Sequence, residues 1–273
     1  MISVLNITNR HGGIDILWAN MKRQTFQEFE LVIVDGLWRE REKEVKEYIN
    51  DPRLVYVRQS DKREGAYTNL AHADNEGFSK CKGELIVLLQ DYIWIPPTAL
   101  EVFWFHHTNN PDGVLVTGVG NQYSQPYPVN PNGKITVFDK PFIRRPDVCT
   151  WIDPRINISR PMFSEAEPVE WEMNYASIPR SVIEKVGGMD EQFDFKGFAW
   201  DNTYIASKAH LAGHKIYLDQ SNECMAFNHD EWWPNPLKVN RISPREYFME
   251  KIDKISRGEL PIKDEDLNHY NHS

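Results

Sequence analysis

The stretch GELIVLLQDYIWIPP, residues 83–97, decides the fold. Residues 85–89 are all aliphatic, so the strand they form has no polar face and must be covered on both sides. The run ends in Gln90, Asp91 and Tyr92, and Pro96 and Pro97 then stop it. Strands buried on both faces belong to parallel sheets flanked by helices, and such sheets bind ligands at the carboxyl ends of their strands. Asp91 falls at such an end.

The same pattern recurs on either side. Residues 2–7 read as a strand, and Ile14, Leu17, Trp18 and Met21 follow at helical spacing. FELVIVD, residues 29–35, is another apolar run and ends in Asp35; a charged helix over 39–50 and the strand RLVYVR, residues 53–58, come next. Ala66, Leu70, Ala73 and Gly77 make a small-residue helix face before residues 85–89. Alternating strands and helices predict an α/β fold, with a Rossmann-like, mostly parallel central sheet. After Gly120 the periodicity fades through NQYSQPYPVNPNGK and on to Pro168, and an irregular stretch of that length is more often functional than decorative. Regular structure returns with a short helix ending at Gly187 and Gly188, a helix running into a strand over 199–218, and a tail helix over 244–256.

Composition narrows the function. The chain has 273 residues, 41% of them hydrophobic, and a formal net charge of −9, which disfavours a broad phosphate-backbone footprint, so nucleic acid is not expected as a partner. The longest apolar runs fall far short of the roughly 20 residues of a membrane-spanning helix, and the N-terminus lacks the pattern of a signal peptide. Three scattered cysteines lack metal-ligand spacing and fit a reducing, cytoplasmic setting.

Two acids on one rim, Asp35 and Asp91, suit recognition of a nucleotide, one carboxylate accepting from base or ribose and the other facing a cation on a diphosphate. They read equally well as strand-end turn formers. No G-x-G-x-x-G follows the first strand and no P-loop occurs, so dinucleotide and P-loop readings lose their support. His106 and His107 are neighbours that point different ways on a helix, and the pair reads as a solvated helix end.

In order along the chain, SVLNITNR (3–10), QTFQEFELVIVDG (24–36), EGAYTNLAHADNEGFSKCKGELIVLLQDY (64–92) and the segment 173–230, from MNYASIPRSV to CMAFNHD, resemble the motifs of the family 2 glycosyltransferases. These are inverting, nucleotide-sugar-dependent enzymes of GT-A fold, and the resemblance spans roughly residues 2–230. It implies a GT-A domain over 1–230, with a nucleotide-binding half (1–119) and an acceptor and catalytic half (120–230), and an extension over 231–273.

The resemblance also implies roles. Gln90, Asp91 and Tyr92 occupy the family's acidic triplet, of which the middle acid alone is kept, and Asp201 takes the position of the catalytic base, with Trp200 where the family has Glu. Thr8, Arg10, Asp35, Arg63 and Asp91 would hold the donor; Asp91 and His229 would hold a divalent Mn²⁺ or Mg²⁺. Trp171, Trp200, Trp232 and Trp233 would offer flat faces to the acceptor, with core packing as the alternative for each. The donor would be a nucleotide sugar, UDP-sugar first, and the acceptor a glycan, lipid-linked or other hydroxyl; assembly into a homo-oligomer is left open. The rival reading is a glycosyltransferase-like protein that binds nucleotide sugar or glycan without catalysis. A nucleotidyltransferase would need a Gly-rich loop that NITNRHGG does not supply.

Overall fold

The computed structural model describes residues 1–10, 12–110, 112–126, 149–197, 199–228 and 242–263. The first half alternates as expected: β1 (Ile2–Thr8), α1 (Ile14–Lys22), β2 (Phe29–Asp35), α2 (Trp38–Ile49), β3 (Leu54–Arg58), α3 (Leu70–Lys80) and β4 (Leu85–Leu89). There follow β5 (Ile93–Trp94), α4 (Ala99–Thr108), β6 (Val114–Pro126), β7 (Cys149–Trp151), β8 (Phe163–Glu165) and β9 (Tyr175–Pro179). The chain continues through α5 (Arg180–Val186), α6 (Phe193–Lys196), α7 (Asp201–Leu211), β10 (Lys215–Asn228) and α8 (Ile242–Ser256).

The described strands form one ten-stranded sheet, ordered β3-β2-β1-β4-β9-β6-β10-β5, with β7 on β6 and β8 on β10. β3, β2, β1 and β4 run parallel. β9 then inserts antiparallel between β4 and β6, so the sheet is mixed where the sequence predicts a mostly parallel one. Part of the irregular stretch is also strand: β6 continues to Pro126 against β10, and β7 and β8 add to its edges.

Double burial of the strands is literal. All residues of β2 and β4 are buried, and their alternation serves two cores. Val4, Leu31, Ile33, Val87 and Leu89 face α1, α2 and α4 through Leu17, Val45 and Phe103. Leu5, Val32, Val34, Ile86 and Leu88 face α3, α5 and α7 through Phe78, Val182 and Ile205. Gly77 permits that second packing, because a Cβ there would lie 2.4 Å from Leu5 Cδ1. α5 stops at Gly187, whose φ of 85° suits the left-handed cap, with its N–H donated to the Ile183 carbonyl at 2.8 Å.

α8 packs on the outside of α6 and α7, where Phe248 and Ile255 join Phe193 and Tyr204 in a third cluster. Tyr247 and Lys251 each donate to Asp190 Oδ2 at 2.6 Å. No described helix is long and apolar enough to cross a membrane.

Candidate active site

Parallel register sets the rim. Thr8 at the end of β1 lies opposite Asp35 at the end of β2, and Asp35 lies opposite Arg58 at the end of β3. Asp91 lies two residues past Leu89, the last residue of β4, and β4 also pairs with β1. Thr8, Asp35 and Asp91 therefore meet at one edge of the sheet because three strands end there together.

Their side chains form one network. Asp91 is 1% exposed; its Oδ2 accepts from Thr8 Oγ1 at 2.5 Å and its Oδ1 from Arg10 Nη1 at 2.5 Å. The Arg10 guanidinium lies 4.7 Å from the centre of the Tyr92 ring. Asp35 is fully buried and held by a residue that the sequence reading passed over: Arg41 Nε donates to Oδ2 at 2.8 Å and Nη2 to Oδ1 at 2.9 Å. Tyr56 Oη donates to Asp35 Oδ2 at 2.7 Å. Arg41 also donates through Nη1 to the Arg10 carbonyl at 2.6 Å, tying the β1 loop to α2. Burial lowers the tendency of Arg41 to keep its proton, but the ion pair with Asp35 outweighs it and the guanidinium stays firmly charged.

Asp201 opens α7, and its Oδ1 accepts from the Asn202 N–H at 3.1 Å. Desolvation pushes its carboxyl above the usual range, opposed by that N–H and reinforced by Asp194. A carboxylate with a raised pKa is better matched to proton abstraction near neutral pH than an ordinary one. The residues before it are strained: Ala199 and Trp200 have φ of 85° and 75°, each a cost of about 1–2 kcal/mol for a residue with a Cβ. Trp200 is partly buried and stacks on Phe248 of α8 at 5.2 Å, which holds it in that conformation.

A second acid overlooked in the sequence stands nearby. Glu172 Oε2 is 3.4 Å from Asn202 Nδ2, next to Asp201. Burial raises its carboxyl, Arg155 lowers it, and Asp153 and Asp201 raise it further. No motif marks it; it reaches the site because the backbone of Asn174 pairs with that of Gln90 at the end of β4.

Other expectations change. Trp171 is fully buried, with its Nε1 donating to the Ser177 carbonyl at 3.3 Å, so it is a core residue with no face for an acceptor. Arg63 spends its charge elsewhere: it pairs with Glu191 at 2.7 Å and Asp194 at 3.3 Å. Asp194 in turn caps α3 by accepting from the backbone N–H groups of Leu70, Ala71 and His72, a carboxylate at a helix N-terminus. His106 is buried, not solvated, and pairs with Asp219 at 2.8 Å while stacked on Phe163. His229, Trp232 and Trp233 lie outside the described residues.

A divalent cation finds a poor donor set here. Such an ion wants several oxygen ligands. Asp91 is the single acid of residues 90–92, both its oxygens already accept hydrogen bonds, and no group of three His, Cys, Asp or Glu residues converges among the described residues.

With the fold and site in view, a family model described as "Glycosyl transferase family 2" matches residues 5–160. Among solved structures, the chain superposes on S. aureus TarS 1–349 in complex with UDP with a TM-score of 0.56 and 13% identity, covering 98% of this chain and 68% of that one. On S. aureus TarS the TM-score is 0.57 at 13% identity, covering 98% of this chain and 41% of that one. The mannosyltransferase PcManGT from Pyrobaculum calidifontis, in complex with GDP-Man and Mn²⁺, gives 0.53 at 16% identity, covering 82% of this chain and 56% of that one. At such identities the likeness is one of fold. A search of curated proteins finds no match.

Proposed function

This chain belongs to glycosyl transferase family 2 and is a glycosyltransferase, and we propose that it moves a sugar from a nucleotide-diphosphate sugar to an acceptor hydroxyl with inversion. The observation that carries this reading is Asp201, a desolvated carboxylate at the start of α7 in the same fold as the Thr8, Arg10, Asp35 and Asp91 rim.

The donor's nucleotide and phosphates lie along that rim, toward Asp35, Thr8 and Arg10, with a UDP-sugar the first donor to test. The acceptor is a glycan, lipid-linked or other hydroxyl that approaches α7 past Trp200. Its oxygen attacks the anomeric carbon, the new C–O bond forms as the bond to the phosphate oxygen breaks, and the electron pair leaves with the nucleotide diphosphate. Asp201 takes the hydroxyl proton. The Mn²⁺ or Mg²⁺ read from the resemblance enters no step, because the described residues do not supply its ligands. His229, the other residue of that reading, is outside them.

The test is Asp201→Asn, which keeps the shape and removes the base. Transfer should fall by about 10²–10⁴-fold, the usual worth of general-base catalysis, with nucleotide affinity unchanged. Unchanged turnover refutes the role of Asp201, and a product of retained anomeric configuration refutes inversion.

A further inference from the structure

We infer that the Arg10 guanidinium, in place of a divalent cation, donates the hydrogen bonds that hold the leaving diphosphate, so that donor binding and transfer proceed without metal. This rests on the glycosyl-transfer reading above and adds how the leaving group is held.

Three features of the rim carry it. The first is the donor set: residues 90–92 offer an amide, one carboxylate and a buried phenol. A cation bound against a diphosphate would find one anionic side chain in this triplet, and that carboxylate is already engaged by Thr8 and Arg10.

The second is that the carboxylate is already compensated. Asp91 is 1% exposed, and its oxygens accept from Thr8 Oγ1 and Arg10 Nη1, each at 2.5 Å. A metal would have to displace the guanidinium from a buried carboxylate to reach it. With Arg10 in place the pair is neutral, so an incoming diphosphate meets no net negative wall.

The third is the anchoring of Arg10. Its guanidinium rests against the Tyr92 ring at 4.7 Å, its carbonyl accepts from Arg41 Nη1 at 2.6 Å, and its N–H points to Thr8 Oγ1 at 3.3 Å. The side chain is nonetheless 19% exposed. A guanidinium has five N–H donors in a planar fork that matches phosphate, and the bond to Asp91 uses one. When the bond from the anomeric carbon breaks, the electron pair settles on a phosphate oxygen within the reach of that fork. Tyr92, where an acid would repel phosphate, instead supports the cation through its ring.

The experiment is calorimetric titration of the full chain with UDP, GDP, dTDP, CMP and ADP, first after dialysis against EDTA and then with Mn²⁺. The expected result is binding of at least one nucleotide in EDTA, with affinity changed less than about threefold by Mn²⁺. Arg10→Ala should weaken that binding by about 10–100-fold in both conditions, the usual worth of charged hydrogen bonds, and Arg10→Lys should recover part of it. The EDTA comparison on the unaltered protein needs no variant to fold, and the thermal midpoint of each variant reports whether it does. Binding seen with Mn²⁺ alone, or unchanged affinity in a folded Arg10→Ala, overturns the inference and leaves the glycosyl-transfer reading standing. No binding of any nucleotide in either condition overturns that reading and the inference together.

Discussion

Arg41 grips Asp35 through two parallel hydrogen bonds, Nε to Oδ2 at 2.8 Å and Nη2 to Oδ1 at 2.9 Å, with both side chains buried. Removing one partner of such a pair strands a charge without water. Arg41→Leu should therefore destabilise the protein by about 3–5 kcal/mol, read as a lowered urea midpoint with an unchanged slope. A loss below 1 kcal/mol would mean that Tyr56 and the Leu37 N–H satisfy Asp35 without it.

Asp15 should give stability an unusual pH dependence. It is 1% exposed, no side chain among the described residues pairs with its carboxyl, and burial raises its pKa to about 7, opposed by the backbone N–H groups of the α1 start and reinforced by Asp91. A carboxyl whose folded pKa exceeds its unfolded value of 3.8 favours folding in its neutral form. That advantage is complete below about pH 4 and is lost as pH rises through 7, up to about 4 kcal/mol in all. Asp15→Asn should be more stable than the parent at pH 8 and close to it at pH 4. Parallel stability curves for the two proteins would show that Asp15 stays charged.

The acid limb of kcat/KM should lie above the ordinary carboxylate range, because Asp201 must lose its proton to act and desolvation holds that proton on. Activity should rise with pH through this limb. A profile flat from pH 4.5 upward would remove Asp201 as the titrating base.

Trp171 separates packing from recognition. Trp171→Ala should cost about 3–5 kcal/mol as a core cavity, whereas Trp171→Phe should keep most of the stability and leave the acceptor KM unchanged. A raised acceptor KM in a stable Trp171→Phe protein would restore it to the acceptor site.

Phe248 should act on catalysis through Trp200. Its ring stacks on Trp200 at 28° and 5.2 Å and steadies the left-handed backbone that precedes Asp201. Phe248→Ala should lower kcat several-fold with little change in nucleotide affinity, and Phe248→Leu should restore part of it. Equal losses in both measures would indicate general unfolding instead.

Much of the rim was legible because it depends on local pattern. Apolar runs with no polar face must be central strands, and the residue after such a run must stand at the sheet's ligand-binding edge, which located Asp35 and Asp91. Thr8 and Arg10 came from the resemblance of SVLNITNR to the family's first motif. Arg41 was hidden in a helix of charged residues whose spacing looks solvated, and only its turn toward Asp35 distinguishes it from Glu40 or Lys43. Arg63 and Asp194 are 131 positions apart, and nothing in either neighbourhood names the other. Trp171 misled because it sits at the end of an aperiodic stretch, yet the chain there is already entering the core ahead of β9.

The sequence by itself determined that this is an α/β protein whose apolar strands end in acids, and its ordered motifs pointed to glycosyl transfer, because strand burial and turn chemistry are written in adjacent residues. Only the tertiary structure decided which charges neutralise one another: that Arg10 holds Asp91, that Arg41 holds Asp35, and that Glu172 stands near Asp201. Electrostatic energy depends on distance through space and on the water excluded between the groups, and neither quantity exists until the strands align and the helices close over them.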